Sequence, residues 1–166
     1  FETIVASGPR SSLPHAAATD RRIGEDEYLL IDFGLKYQGY CSDLTRIHPL
    51  STTETPDIFK VVQEAQQAAL SCIRPGASSS EIDAAARKVI SRHGYGDYFG
   101  HSTGHGLGLE VHELPAIAAL RPREIQEGMT FTVEPGIYLP EKHGIRIEDV
   151  VTVTPTGYST ISDPLI

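Results

Sequence analysis

The sequence predicts an α+β domain in which a sheet is flanked by helices. Strand-like segments come first, helical periodicity is confined to residues 56–93, and strand-like segments return after that. Separate runs of strands and helices, rather than their regular alternation, favour this class. With 166 residues, of which 40% are hydrophobic, the chain is long enough to bury one core.

The first part of the chain contains three predicted strands, at residues 1–6, 28–33 and 39–47. Residues 7–15 are rich in Ser, Gly and Pro and therefore predict a turn-rich loop after the first strand. A short glycine-containing connection joins the second and third strands, which predicts a hairpin.

The most regular helical pattern covers residues 56–72. Thr55 is suited to cap this helix and Pro56 to occupy its first position, where the missing N–H of proline costs nothing. The Arg-Pro-Gly sequence at residues 74–76 ends the pattern. Apolar residues repeat at helical spacing on one face: Ile58, Val61, Val62, Ala65, Ala69 and Cys72.

A second helix is predicted from Ser78 to about His93. Ser78 and Glu81 have the spacing of a capping box, in which each side chain accepts from the other residue's backbone N–H. Gly94 is suited to end the helix. The inner face of this helix is small and apolar: Ile82, Ala85, Ala86, Val89 and Ile90.

The rest of the chain predicts strands near residues 107–113, 130–138 and 145–154. Residues 94–108 are too rich in Gly for a regular helix. The sequence contains no exact repeat and no low-complexity linker, so residues 1–166 are interpreted as a single domain. Phe1 opens within a strand pattern without an initiator Met, which predicts a fragment whose N-terminal part is removed or supplied separately.

Charge and composition exclude several classes of function. The net charge of -8 and the lack of a basic stripe argue against nucleic acid as the main partner. No apolar run approaches 18 residues, so no membrane span is predicted. The two cysteines, Cys41 and Cys72, have no CxxC spacing and predict a reducing, cytoplasmic location more readily than a disulfide.

Acidic and imidazole side chains stand within apolar or glycine-rich stretches at five positions. An ionised carboxylate in such surroundings costs several kcal/mol or more unless it is paired or binds a metal. Cross-strand neighbours in a hairpin lie about 5 Å apart, so Asp32 and Asp43 can face one point. Arg146 and Glu148 are two residues apart and share a strand face. The five positions are Asp32, Asp43, His105, Glu134 and Glu148.

This set of ligands indicates the kind of metal. Carboxylate oxygens with one imidazole suit Mn²⁺, Co²⁺ or Mg²⁺ better than a structural zinc site. Four carboxylates carry too much charge for one divalent ion, and two ions about 3.5–4 Å apart balance it better. Each residue alone has an ordinary explanation: an Asp at a strand end can be a turn residue, and Glu148 with Arg146 can be a surface ion pair. The metal hypothesis therefore depends on the whole set.

Six segments together resemble the pita-bread metallopeptidase family, which includes methionine aminopeptidase, aminopeptidase P and prolidase. The resemblance implies a curved, mainly antiparallel sheet flanked by helices and a further N-terminal domain. It also implies a homodimer and a two-metal site, most often Mn²⁺ with Co²⁺ or Zn²⁺ as alternatives, held by the five residues named above. The Arg-Ile-Glu form at residues 146–148 resembles the proline-specific branch. The segments are LPH at 13–15, LIDFG at 30–34, GYCSDLTR at 39–46, GHSTGHGLGLEVHE at 100–113, VEPGIY at 133–138 and GIRIED at 144–149.

The same resemblance implies hydrolysis of the bond between an N-terminal residue and a following proline, by a metal-bridging hydroxide. Glu134 would both bind metal and carry the proton to the leaving nitrogen, and His112 would donate to the oxyanion. His15 and His101 would line the cleft and position the peptide. Two further residues complete the predicted substrate site: Arg146, which would hold a ligand carboxylate in place, and Tyr138, a hydrogen-bonding wall residue.

One departure leaves the substrate class open between dipeptides and longer peptides. Many dipeptidases of the family place an Arg shortly after the His-Glu-x-Pro segment to bind the substrate carboxylate, and Ala116 follows Pro115 here. Arg121 or Arg123 could substitute. Two other functions on this fold, a creatinase-like amidinohydrolase and a non-catalytic peptide- or protein-binding module, are disfavoured because their members lack the full ligand set.

Overall fold

The structure, a computed structural model, describes residues 1–50 and 56–162. Within these residues the two α-helices are α1 (Asp57–Leu70) and α2 (Ser79–Arg92), and short 3₁₀ helices lie at Gly8–Ser12 and Gly96–Tyr98. The strands are β1 (Ile4–Ser7), β2 (Tyr28–Phe33), β3 (Lys36–Tyr37), β4 (Tyr40–Cys41), β5 (Leu44–Pro49), β6 (Gly104–Gly106), β7 (Glu113–Ile117), β8 (Thr130–Val133), β9 (Gly136–Leu139), β10 (His143–Arg146), β11 (Asp149–Thr154) and β12 (Gly157–Thr160).

The strands form antiparallel sheets, as the α+β prediction requires. A five-stranded sheet has the order β12-β11-β8-β6-β7, and a three-stranded sheet has the order β1-β2-β5. The two pairs β9–β10 and β3–β4 are separate ladders, and every ladder pairs its strands antiparallel. Because α1 and α2 bury their apolar faces against these strands, one continuous core joins helices and sheets.

The helix predictions are confirmed with small changes at the ends. α1 begins at Asp57 and not at Pro56, which is its N-cap, and it ends at Leu70 and not at Cys72. The predicted cap Thr55 lies outside the described residues. α2 begins after Ser78 with both hydrogen bonds of the capping box present. The burial of Val62, Ala65 and Ala69, each 0% exposed, follows the predicted apolar stripe.

The predicted strand 39–47 is wrong as a single element. The chain forms the short hairpin β3–β4 first and pairs with β2 only from Leu44 onward. Asp43 therefore lies in the short connection between β4 and β5, and the partner of Asp32 in the ladder is Thr45. The predicted cross-strand pairing of Asp32 with Asp43 is therefore wrong, although both residues still lie in the same region of the fold.

The predicted strand 107–113 is also wrong, because a local turn replaces it. The Gly108 N–H donates to the Glu110 carbonyl, and the Glu110 N–H donates to the Glu113 carboxylate. The Gly108 carbonyl in turn accepts from Cys41 N–H, which ties the turn to the β3–β4 hairpin. The strands that the chain does form here are β6 before the turn and β7 after it.

The last two predicted strands are each interrupted where an acidic residue occurs. Glu134 follows β8, and Glu148 lies between β10 and β11. Both interruptions place a carboxylate beyond a strand end and outside any ladder. In residues 1–50 and 56–162, no helix combines the length and apolar character needed to cross a bilayer.

Candidate metal centre

The five predicted ligand positions meet at one cavity. Their strands or turns approach it from the β2–β5 ladder, from β6 and β8, and from the β10–β11 connection. The cavity has a volume of about 590 Å³, and all five side chains line it: Asp32, Asp43, His105, Glu134 and Glu148. The structure therefore brings together every residue that the sequence analysis grouped, while their role as ligands stays a prediction.

Three of these side chains offer ligand atoms within the span of one ion. One ligand atom from each of Asp43, His105 and Glu148 lies within 4.8 Å of the other two. The His105 Nε2 atom is 3.2 Å from Glu134 Oε1 and 3.8 Å from Asp43 Oδ2. His105 is thus the central nitrogen donor among the carboxylates.

Close packing at Gly104 positions the His105 strand. A Cβ atom at Gly104 would lie 1.9 Å from the Thr132 carbonyl oxygen, so only glycine allows β6 to approach β8 this closely. The His105 N–H donates to the Thr132 hydroxyl at 3.0 Å, and that hydroxyl donates to Glu134 Oε1 at 2.9 Å. One threonine therefore fixes both the backbone of His105 and the carboxylate of Glu134, two of the predicted ligands.

The cavity contains too little positive charge to balance its carboxylates. Burial, with repulsion from Asp32 and Glu134, raises the pKa of Asp43 to about 7. Burial, with repulsion from Glu134 and Asp43, raises the pKa of Glu148 well above its ordinary value. Burial also raises the pKa of Glu134, but hydrogen bonding and attraction from His105 outweigh it, so the net pKa is lowered.

These residues fit a divalent metal site on two independent observations. Asp32 Oδ1 is buried and has no hydrogen-bond partner among the residues that the structure describes. A buried carboxylate oxygen without a partner is costly in the free protein, and a cation would satisfy it. The donor set of carboxylate oxygens and one imidazole is the kind that Mn²⁺ or Co²⁺ accepts.

Arg146 is the cation that the chain itself places in the cavity wall. Its Nη2 atom is 2.5 Å from Asp32 Oδ2, and its Nε atom donates to the Thr45 hydroxyl at 3.1 Å. That hydroxyl donates to Glu148 Oε2 at 2.7 Å. The alternative of a surface ion pair between Arg146 and Glu148 is therefore wrong, because both are buried and Arg146 pairs with Asp32.

His101 has both ring nitrogens occupied by protein groups. Nδ1 lies 2.8 Å from the Ser102 carbonyl and must donate to it, so Nε2 accepts from the Tyr138 hydroxyl at 2.8 Å. The Tyr138 oxygen accepts in turn from Arg146 Nη1 at 2.9 Å. Burial lowers the pKa of His101, which favours the neutral ring.

The other predicted substrate residues differ in their position. His15 and His112 line the cavity with His101, and the rings of His112 and His105 lie 4.2 Å apart at 52°. Burial and the neighbouring His105 lower the pKa of His112. Tyr138 is buried behind His101 and is not among the described residues that line the cavity, which corrects its prediction as a wall residue.

The arginines considered for substrate carboxylate binding do not reach the site. Of the described residues, neither Arg121 nor Arg123 lines the cavity, and Arg123 lies instead beside Ser79 at the start of α2. Ala116 pairs with His105 in the β6–β7 ladder. Arg146 is the one Lys or Arg among the described residues lining the cavity, and it is already paired.

Sequence reasoning missed the threonines that support the acidic residues. Thr45 and Thr132 are both 0% exposed and donate to Glu148 and Glu134 respectively. A usable signal existed for Thr132, because it stands two residues before Glu134 and alternate strand positions share a face. Thr45 bridges to a residue 103 positions away, and no local pattern could reveal that contact.

The chain is similar to known proteins over most of its length. The sequence model described as metallopeptidase family M24 matches residues 1–155. An uncharacterised peptidase of Bacillus subtilis, YqhT, is 48% identical over 164 residues, which cover 98% of this chain and 46% of that protein.

Two solved structures share the fold closely. Prolidase from Pyrococcus furiosus superposes with a TM-score of 0.95 at 43% identity, covering 100% of this chain and 50% of that one. X-Pro aminopeptidase from Thermotoga maritima MSB8 gives a TM-score of 0.93 at 44% identity, covering 96% and 46%. The pita-bread fold is thereby confirmed, and the chain spans about half the length of these relatives. With its residues 1–155 matched and these relatives alike in sequence and fold, the chain belongs to metallopeptidase family M24.

Proposed function

We propose that the protein hydrolyses the peptide bond between an N-terminal residue and a following proline, with two divalent metal ions, Mn²⁺ first among them. The observation that carries this proposal is the convergence of four carboxylates and His105 on one cavity, whose described lining residues include a single arginine that is already paired. The names of two similar structures, a prolidase and an X-Pro aminopeptidase, support the substrate class.

The metal-holding residues in this proposal are the five that line the cavity. The bound ions would supply Lewis acidity, which makes a water molecule a competent nucleophile near neutral pH. The carboxylates of these residues would be ionised when metal is bound, although burial by itself disfavours the ionised form of Asp43 and Glu148. We assign residues 1–166 to the catalytic domain. The five residues proposed to bind the metal ions are Asp32, Asp43, His105, Glu134 and Glu148.

Glu134 is proposed as the proton carrier. Its lowered pKa keeps the carboxylate ionised, so that it could accept the proton that the attacking water loses. The Thr132 hydroxyl and His105 fix its orientation at 2.9 and 3.2 Å. The proline nitrogen that leaves has no proton of its own in the peptide bond, so cleavage requires a proton donor at that nitrogen, and protonated Glu134 would supply it.

The histidines of the cavity are proposed to bind and orient the peptide. His112 is exposed and keeps a neutral ring at neutral pH, so one ring N–H can donate to the carbonyl oxygen as it gains charge. One such donor contributes roughly 3–4 kcal/mol to transition-state stabilisation. His15 lies at the exposed rim of the cavity. Two hydrogen bonds hold the His101 ring in place, so that its face or carbon edge is what the peptide would contact.

The described cavity favours longer peptides over dipeptides. A dipeptide places its free carboxylate close to the cleaved bond, where a guanidinium or ammonium group would normally bind it. Among the described lining residues, the one Lys or Arg side chain is Arg146, which already pairs with Asp32. We therefore infer an aminopeptidase preference, and a dipeptidase remains the second candidate because of the similar prolidase.

Two further parts of the proposal concern the setting of the protein. Both cysteines, Cys41 and Cys72, are free thiols, which suits a reducing compartment such as the cytoplasm. A homodimer is proposed from the family resemblance alone. A creatinase-like activity and a non-catalytic binding role are disfavoured, because the complete set of acidic residues lines the cavity.

The test uses the full-length protein, first stripped with a chelator and then loaded with Mn²⁺. Release of the first residue is measured for Ala-Pro and for a longer Xaa-Pro peptide, with a matched Xaa-Ala peptide as the specificity control. Mn²⁺-dependent release from the longer Xaa-Pro peptide supports the proposal. Protein that demonstrably binds Mn²⁺ and cleaves none of the three peptides would remove it.

A further inference from the structure

Gln66 is a polar side chain at the centre of an apolar helix face. It lies on α1 between Val62 and Ala69, both 0% exposed, and is itself 4% exposed. A primary amide in such a position costs free energy unless its hydrogen bonds are made inside the protein. Its contacts therefore indicate what this residue does.

The Gln66 amide nitrogen faces the two segments that carry Glu134 and Glu148. Nε2 lies 3.3 Å from the Val133 carbonyl, the residue before Glu134. It lies 3.5 Å from the Ile147 carbonyl and 2.9 Å from Asp149 Oδ2, the residues on either side of Glu148. One side chain of a helix thus joins the backbones next to two ligand positions that are far apart in the chain.

Arg46 approaches the same segment from the other side of Asp149. Its Nη2 atom donates to Asp149 Oδ1 at 2.7 Å, and its Nη1 atom donates to the Glu148 carbonyl at 2.5 Å. The Ser162 hydroxyl also donates to Asp149 Oδ1, at 2.8 Å. Asp149 is therefore held between α1 and β5, and the peptide groups on both sides of Glu148 are fixed.

This cluster stands apart from the metal cavity. Arg46 and Asp149 line a second cavity, of about 390 Å³, which shares none of its described lining residues with the first. Gln66 lines neither. None of these three side chains lines the first cavity, so they can influence substrate or metal there only through the backbone of the segments that carry Glu134 and Glu148.

We propose that Gln66, with Arg46 and Asp149, forms a clamp that sets the spacing of Glu134 and Glu148, so that Gln66 is a positioning residue for the metal centre. The inference rests on the proposed metal site. Its physical basis is that two carboxylates from separate connections between strands hold ions well only when their backbones keep a fixed separation. Groups that orient metal ligands typically change metal affinity about 10–100-fold when they are removed.

The experiment compares four variants of the full-length protein. Gln66→Leu keeps the size and removes the donors, and Arg46→Lys keeps the charge but loses the planar fork. Gln67→Leu makes the same change at the next, exposed position of α1. Val62→Ala weakens the buried face of α1 without touching these hydrogen bonds, and so controls for loss of stability alone.

Two readouts are taken at a temperature where every variant is folded. The first is the affinity for Mn²⁺ alone, by calorimetry. The second is hydrogen exchange in the metal-free protein at two amides, Glu134 N–H, which donates to the Thr103 carbonyl at 2.8 Å, and Glu148 N–H, which donates to the Thr45 carbonyl at 3.2 Å. The exchange readout requires no metal.

Gln66→Leu is expected to weaken Mn²⁺ binding about tenfold and to speed exchange at both amides, with a smaller effect of the same kind for Arg46→Lys. Gln67→Leu and Val62→Ala are expected to leave the Mn²⁺ affinity at the wild-type value. Wild-type affinity and exchange in Gln66→Leu, or an equal loss in Val62→Ala, would overturn the clamp. Wild-type protein that binds no Mn²⁺ removes the proposed metal function, while the exchange data still decide whether the clamp exists.

Discussion

Asp32 and Arg146 form a buried ion pair between residues 114 positions apart, with Oδ2 and Nη2 2.5 Å from each other. The guanidinium side chain is 3% exposed and also donates to the hydroxyls of Thr45 and Tyr138. Although burial lowers the pKa of Arg146, the neighbouring Tyr138, Asp32 and Glu148 raise it, with a net rise. Arg146 is therefore a permanent cation beside four carboxylates.

Replacing Arg146 with Met is expected to destabilise the metal-free protein strongly. The change leaves Asp32 without its partner in a buried site, and breaking such a pair costs about 3–5 kcal/mol. Urea denaturation gives the free energy of unfolding directly. Arg146→Lys keeps the charge and is expected to lose less. A free energy of unfolding that is unchanged in Arg146→Met would show that the pair contributes nothing to the fold.

Replacing Glu134 with Gln is expected to lower kcat at least about 100-fold, because an amide cannot accept and return the proton. The variant keeps the size of the side chain and an oxygen that can accept from Thr132. Steady-state hydrolysis of an Xaa-Pro peptide measures the effect. Glu127→Gln, a change at an exposed position, is the matched control. Equal rates in Glu134→Gln and wild type would refute the proton-carrier role.

The parts of the fold that depend on local sequence could be predicted. The strand at residues 28–33 has the predicted bounds, and the Ser78–Glu81 capping box is present. Both follow from signals within a few residues: an apolar run in one case and a side chain reaching its own helix end in the other. The grouping of the five cavity residues was also predictable, since buried charges require one another or a cation.

The parts that depend on distant contacts could not be predicted. Asp43 lies between β4 and β5, beside a hairpin β3–β4 that the Cys41 N–H ties to the distant Gly108 carbonyl. Gln66 was omitted from the predicted apolar stripe of α1, and its polarity gave no indication of the carbonyls that it contacts. Periodicity assigns a residue to a face, but it does not specify the partner on the other side.

The capping box of α2 gives a prediction about stability alone. The Ser78 hydroxyl accepts from Ser80 N–H at 3.3 Å, and the Glu81 carboxylate accepts from Ser78 N–H at 3.1 Å. Ser78→Ala is expected to cost about 1 kcal/mol of the free energy of unfolding. Ser71→Ala removes a hydroxyl that only donates to the Gln67 carbonyl at the end of α1, and is expected to cost less. Equal losses in the two variants would contradict the cap.

The raised pKa of Asp43 predicts how the metal-free protein responds to pH. Its ordinary pKa of 3.8 is raised to about 7 by burial and by repulsion from Asp32 and Glu134. Between these values the folded protein binds a proton that the unfolded chain has released, so the contribution to stability is complete below pH 3.8 and is lost as pH rises to about 7. Urea denaturation at several pH values within this window should show the decrease, and Asp43→Asn should show a smaller one.

Metal binding should show the opposite dependence on pH. Mn²⁺ binding requires that Asp43 is ionised and that His105 has lost its second ring proton. Burial raises the pKa of Asp43 to about 7. Burial lowers the pKa of His105, but hydrogen bonding and attraction from Glu134 outweigh it, so that the pKa is raised. The affinity for Mn²⁺ is therefore expected to fall as pH decreases below about 7. Calorimetry in buffers of different ionisation enthalpy would also count the protons released on binding. An affinity that is constant on acidification, with no proton released, would mean that Mn²⁺ does not bind at Asp43 and His105.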